Sequence, residues 1–432
     1  MAENTSVSLR NRLIYSAFVR QHTPEGTFRA LMADLPRIRA LGADILWLMP
    51  IYPIGEKARK GSVGSPYAIR DYRGIHPSLG TLEDLKALVH ACHEAGMRVI
   101  LDIVFNHTSP DSVLASAHPE WFYHKKDGSF GNRIGDWSDI IDLDYGQKGL
   151  WEEQIGTLLY WADIVDGFRC DVAPLVPLAF WKAAREAVAK VHPDCLWLAE
   201  SVEPGFTLDN RARGLVSHSD GELYQAFDIL YDYDVQGKLE DYLHGRGTLA
   251  AYADAVQAQE YLYPENFVKL RFLENHDRQR AAALVPDRRR LRNLTAFLYF
   301  QHGTTLLYAG QEFSCAHLPD LFEKDVIDRS GEDLTPYLVR LLPIRRLPIL
   351  REGSYRVHAQ GETVLQAMYR KGEEWLCGTF CVGEEVPERV QVPVPDGYYR
   401  DLVDGREIRV EGGEIALNGA CVVVSSEGVW NT

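Results

Sequence analysis

Short apolar runs alternate with longer amphipathic ones over the first two-thirds of the chain. Leu13 to Val19 predicts a buried strand, Thr27 to Leu41 repeats apolar residues at helical spacing, and Ile45 to Met49 predicts a second strand. The alternation continues with a helix at Leu82 to Ala95, a strand at Arg98 to Phe105 and a helix at Leu150 to Ala162. Gly167 to Val172 (strand), Ala179 to Val191 (helix) and Cys195 to Ala199 (strand) follow. Ala226 to Tyr231, Val268 to Leu273 and Thr304 to Tyr308 supply three more strands, with helices over Arg288 to Phe300 and Thr335 to Leu347. Near-continuous apolar strands between helices imply a parallel sheet covered on both faces. Eight such units predict an α/β fold, a closed (β/α)₈ TIM barrel, rather than an open doubly wound sheet. No GxGxxG follows the first strand, which removes the main support for a dinucleotide-binding version.

Two stretches break the rhythm. Residues 111–144, after the third strand, are polar and carry Trp121, Phe122, Tyr123 and Trp137, which reads as a functional insertion above the barrel. From about Tyr355, short alternating segments separated by Gly, Pro and Asp predict a C-terminal antiparallel β domain. The expected organisation is a catalytic barrel over 1–110 and 145–352, the insertion over 111–144, and the β domain over 353–432.

Composition narrows the partners. A formal net charge of −15 over 432 residues disfavours nucleic acid and anionic membranes, and a neutral sugar is the easiest substrate. The 9 tryptophans and 21 tyrosines suit aromatic walls in a cleft, although most must serve packing. Seven cysteines without a CxxC pair signal neither a disulfide framework nor a zinc ribbon. The N-terminal segment lacks a hydrophobic signal and no run is long enough to span a bilayer, so a cytoplasmic location is the default.

Catalytic groups of a parallel barrel sit at the C-terminal ends of strands. Those ends here read Asp102…Asn106–His107, Arg169–Cys170–Asp171, Glu200, and Glu274–Asn275–His276–Asp277. Taken singly, each has a plain structural explanation: an ion pair, a strand end, a core histidine, a capped loop. Four in one geometric register do not. Retaining glycosidases need one carboxylate to attack the anomeric carbon and another group to protonate the leaving oxygen. Asp171 suits the nucleophile, held ionised by Arg169 two residues earlier on the same strand face. Glu200, behind apolar Leu198–Ala199, suits the general acid/base, and Asp277 suits charge stabilisation. His107 and His276 suit hydrogen bonds to sugar hydroxyls better than metal ligation.

These segments resemble the α-amylase family of glycoside hydrolases. DIVFNH, GFRCDVA, LAESVE and FLENHD resemble its signatures in the family's order, and Tyr308–Glu312 resembles its eighth-strand segment. The resemblance implies α-retaining chemistry with Asp171, Glu200 and Asp277 as nucleophile, acid/base and transition-state stabiliser. It also implies sugar contacts from Asp102, His107, Arg169 and His276, with Tyr67 of GSPYAIRDY as a stacking residue. The 111–144 insertion corresponds to the family's domain B, here short. Asn106 and Asp144 match calcium-site positions, so calcium is the one cofactor the resemblance allows, and none is required. Pro174 and Leu175 stand where many α-amylases carry a Lys–His pair that binds leaving-group sugars. Hydrolysis of maltooligosaccharides or related α-glucosides is the leading expectation. Transglycosylation through the same intermediate, and a non-catalytic binding or regulatory protein on the same barrel, are the alternatives.

Overall fold

The computed structural model describes residues 4–135 and 137–428. The outer ends of the expected barrel and β domain (1–3 and 429–432), and Asp136 of the insertion, lie outside the described residues. Eight parallel strands form a closed barrel: β1 (Leu13–Ala17), β2 (Ile45–Leu48), β3 (Arg98–Ile103), β4 (Gly167–Cys170), β5 (Leu196–Ala199), β6 (Ile229–Tyr231), β7 (Lys269–Arg271) and β8 (Thr304–Tyr308). Their order around the barrel is their order in sequence.

By internal contacts the chain divides into two compact units. Most of the first is Ile14–Tyr231 with Leu318–Ile327. Its strands are buried along their length except at Arg98, the half-buried first residue of β3, as double coverage demands. Registry is strict: Asp102 pairs with Arg169, and Cys170 with Ala199, so the residues that follow them emerge side by side. Gly167 opens β4 because a Cβ there would lie 2.4 Å from the Leu196 carbonyl oxygen. The helices start where the chain offers caps. Thr27 accepts from the Ala30 amide ahead of Phe28–Ala40, and Thr81 forms a reciprocal capping box with Asp84 ahead of Leu82–Glu94.

The insertion has little regular structure of its own. A helical turn at Val113–Ala117 and a two-residue pairing of His107–Thr108 with Ile141–Asp142 frame it. Phe122, Ile141, Leu143 and Leu150 give it a small apolar core.

The second unit holds Asp232–His317 and Asp328–Thr432, with Ser6–Leu13. Its four-stranded antiparallel sheet runs in the order Ser354–Gln360, Val364–Lys371, Glu374–Cys381, Val422–Ser425. The sheet packs on helix Arg288–Phe300: the Phe380 ring meets Phe297 and Phe300 at 5.4 Å, and Arg289 and Arg290 donate to the carbonyls of Cys381, Val382 and Gly383. All seven cysteines are buried and free. Among the described residues, no helix is long and apolar enough to cross a membrane.

Candidate active site

One guanidinium organises the first unit's strand ends. Arg169 on β4 is fully buried, and its Nη1 donates to Asp102 Oδ1 at 2.9 Å and to Asp171 Oδ1 at 2.8 Å. Its Nη2 stands 3.0 Å from Glu200 Oε2 in an ion pair. Trp47, Tyr231 and Tyr67 present ring faces to the same guanidinium at 5.0, 5.4 and 5.8 Å. Burying so much charge is tolerable only because each partner is opposite in sign or polarisable.

The two carboxylates expected to react emerge from neighbouring strands. Asp171 and Glu200 each follow a residue of the paired Cys170–Ala199 step, and adjacent strands lie about 4.8 Å apart. Retaining glycosidases hold their two carboxyl groups about 5–5.5 Å apart, so the scaffold spacing suits that chemistry. Val172, directly after Asp171, has φ 34° and ψ 45°, a left-handed conformation that is strained for a β-branched residue. The twist aims its amide at Glu200, which accepts from Val172 N at 2.8 Å. Glu200 therefore meets a guanidinium and an amide. This corrects the expectation of an apolar setting from Leu198–Ala199: those side chains are buried along the strand, while the carboxylate reaches across to β4.

Asp102 is held on several sides. Its carboxylate accepts from Arg169, from Trp47 Nε1 at 3.3 Å and from the Tyr67 hydroxyl at 3.2 Å, while Tyr52 donates to its carbonyl. Burial raises the Asp102 pKa, and the Arg169 guanidinium works against that rise. Tyr67 is half-buried, with its hydroxyl on Asp102 and its ring beside Arg169. His107 is buried, 5.8 Å from the Trp137 ring, and burial lowers its pKa to about 4, which leaves a neutral imidazole at pH 7. Sequence reasoning missed Trp47, Tyr52 and Tyr231 as site residues. Their only signal was aromatic character on or just after a strand, which reads equally well as packing. Lys60 ties the insertion down, its Nζ pairing with Asp139 at 2.9 Å and facing the Phe322 ring.

His276 and Asp277 form a second group, on the loop after β7. His276 is buried, with Nε2 3.1 Å from Asp277 Oδ2, while the Asp277 side chain is 41% exposed. The Asp277 amide donates to Asn275 Oδ1, and Asn275 donates to the Tyr233 hydroxyl at 2.8 Å. Below them, Arg280 pairs with Glu274 at 2.6 Å and donates to the Ala309 carbonyl, so both ends of the loop are fixed. Asn106 and Asp144 line a cavity of about 300 Å³ together with Arg133, Asp142 and Leu175. Among the described residues, no three His, Cys, Asp or Glu side chains gather to hold a metal ion.

A parallel barrel with carboxylates clustered at adjacent strand ends is a frame on which sugar-processing enzymes are built. The family model for the α-amylase catalytic domain matches residues 13–127 and 112–333, and that for the bacterial α-amylase C-terminal domain matches 356–424. The chain belongs to the α-amylase family. It is 49% identical to a structurally solved α-amylase from Lactobacillus plantarum, with a TM-score of 0.94 and coverage of 97% of this chain and 100% of that one. A noncanonic maltogenic α-amylase from Thermotoga neapolitana is 31% identical, with a TM-score of 0.86 and coverage of 98% and 100%. Among curated relatives, an α-1,4-glucan:maltose-1-phosphate maltosyltransferase from Rhodospirillum rubrum is 40% identical over 41% of this chain. Its counterpart from Myxococcus xanthus is 33% identical over 53%. The aligned stretches span only 28% and 37% of those longer proteins.

Proposed function

We propose that the protein is a retaining glycoside hydrolase that cleaves α-glucosidic bonds in maltooligosaccharides or related α-glucans. The observation that carries this reading is the Arg169-centred pairing of Asp171 and Glu200 at neighbouring strand ends. In the first step the Asp171 carboxylate attacks the anomeric carbon while Glu200, protonated, gives its proton to the leaving glycosidic oxygen. A covalent glycosyl–Asp171 ester results. In the second step Glu200, now a carboxylate, takes a proton from water as the water oxygen attacks the same carbon and releases Asp171. Two inversions give net retention. Asp277 keeps the role the family pattern assigns it, stabilising positive charge on the ring, and His107, His276, Asp102 and Tyr67 hold the sugar. Neutral His107 is suited to this, since it can donate from one ring nitrogen and accept at the other.

Glu200→Gln tests the assignment. Turnover of maltoheptaose should fall by about 10²–10⁴-fold, the usual worth of a general acid. The glycosylation step with α-maltosyl fluoride, whose leaving group needs no proton, should be far less affected. Equal loss on both substrates would sink Glu200 as the acid.

Transfer to a sugar hydroxyl instead of water is the second reading. It is supported by the maltosyltransferase relatives and by Pro174 and Leu175, which stand where many α-amylases carry a Lys–His pair that binds leaving-group sugars. Products longer than maltoheptaose, formed with excess maltose as acceptor, would favour transfer, and only shorter products would favour hydrolysis. A non-catalytic role is the least supported, because nucleophile and acid are both present. The substrate is a neutral glucan, in keeping with the net charge of −15. A cytoplasmic location belongs to the same proposal and is supported by seven free, buried thiols.

A further inference from the structure

The calcium implied by the resemblance meets a different cation in the structure. Its expected ligands, Asn106 and Asp144, line the cavity beneath the insertion together with Asp142. The Arg133 guanidinium already faces both carboxylates, with Nη1 3.6 Å from Asp142 Oδ2 and Nη2 3.9 Å from Asp144 Oδ1. Nη1 also donates to the Leu143 carbonyl at 3.2 Å, and the Tyr123 ring lies 4.5 Å from the guanidinium carbon. The backbone fixes this placement: the Arg133 amide donates to Asp142 Oδ2 at 2.7 Å, and the Arg133 carbonyl accepts from Arg213 at 2.5 Å.

Calcium needs six to eight oxygens at about 2.3–2.6 Å. Two carboxylates and one amide fall short of that, and a divalent ion placed on them would lie within a few ångströms of a fixed positive charge. Asp142 Oδ1 is buried without a hydrogen-bond partner, one oxygen where a calcium shell needs several. Asp144 is partly exposed and accepts from the Gly146 amide at 3.1 Å, which helps satisfy it without an ion.

We propose that Arg133 is the built-in cation of the insertion, substituting for calcium by bridging Asp142, Asp144 and the Leu143 carbonyl, so that the protein folds and holds this lobe without metal. Differential scanning calorimetry in EDTA and in millimolar calcium chloride tests this independently of activity. The wild type should show one Tm in both buffers and no calorimetric heat of calcium binding. Arg133→Ala should lower Tm by roughly 2–4 °C in EDTA and should gain a calcium-dependent rise that the wild type lacks. Arg133→Lys, which keeps the charge, should stay indifferent to calcium. The wild-type titration decides the matter even if the alanine variant fails to fold. A wild-type Tm that drops in EDTA and recovers with calcium overturns the proposal, as does an alanine variant as stable as wild type in EDTA.

Discussion

Asp171→Asn is expected to lower kcat/KM on maltooligosaccharides by about 10⁴-fold or more, equivalent to roughly 5–6 kcal/mol of transition-state stabilisation. The asparagine amide fits the same space but cannot form the ester, so the two-step route closes. Folding should survive the change. Asp171 shares the guanidinium with Asp102 and Glu200, which continue to neutralise it. Steady-state kinetics beside urea unfolding of the same variant separates the two effects. A loss of activity matched by a loss of folded protein would remove the case for a chemical role.

Arg169→Gln should damage both stability and turnover. It leaves Asp102, fully buried, without its countercharge, and breaking a buried pair in this way costs about 3–5 kcal/mol. Turnover should fall by about 10²–10³-fold, the cost of losing one preorganised charged donor. The stability deficit should also depend on pH. With the guanidinium gone, burial and the nearby Glu200 charge raise the folded pKa of Asp102 further, opposed by the Tyr67 hydrogen bond. A raised carboxyl binds its proton more tightly in the folded state. Its favourable contribution is therefore present in acid and is lost as pH rises above the ordinary aspartate value of about 3.9. Unfolding curves of the variant and wild type should run parallel from acid to neutrality and separate as pH rises above about 7, where Asp102 of the wild type ionises beside Arg169 and that of the variant does not. Arg169→Lys should recover more stability than activity, since one ammonium cannot span Asp102, Asp171 and Glu200 as the planar fork does. A deficit that is flat with pH would show that Asp102 is not the group left uncompensated.

The barrel was legible because its strands are short, apolar and bounded. Arg169 and Asp171 could be placed on one face from the period of two alone, and their 2.8 Å contact follows from it. The edges were less readable. Strands β6 and β7 are three residues each, shorter than the runs Ala226 to Tyr231 and Val268 to Leu273 suggest, because Phe227, Val268 and Phe272 are buried in irregular backbone flanking the ladders. Helices Pro204–Ala212, Tyr233–Leu243 and Leu249–Leu262 escaped notice; the last two bury Tyr233, Gln236, Tyr252 and Gln259 on faces where a simple pattern expects aliphatic residues. Ser354–Gln360 and Glu407–Val410 were missed as strands, since each alternates exposed polar or charged residues with buried ones, and Glu414–Ala416 because it is only three residues long.

At the site, the charged residues announced themselves and the neutral ones did not. Trp47 lies in an apolar run and reads as core, yet its indole N–H reaches Asp102 from the neighbouring strand. The strain at Val172 has no sequence mark at all, because nothing in Asp–Val–Ala distinguishes a left-handed valine from an extended one. Arg133 was equally silent. Its partners Asp142 and Asp144 lie nine and eleven residues on, and the hydrogen bonds from the Asp142 amide to the Gly131 carbonyl and from the Arg133 amide to Asp142 Oδ2 fold them back beside it.

The central claim is a covalent intermediate on Asp171, and the anomeric configuration of the first product tests it most directly. Proton NMR of maltoheptaose cleavage, recorded before mutarotation, should show the α-anomer appearing first with wild-type protein and no product with Asp171→Asn. First release of the β-anomer would mean a single inverting displacement and would contradict the account.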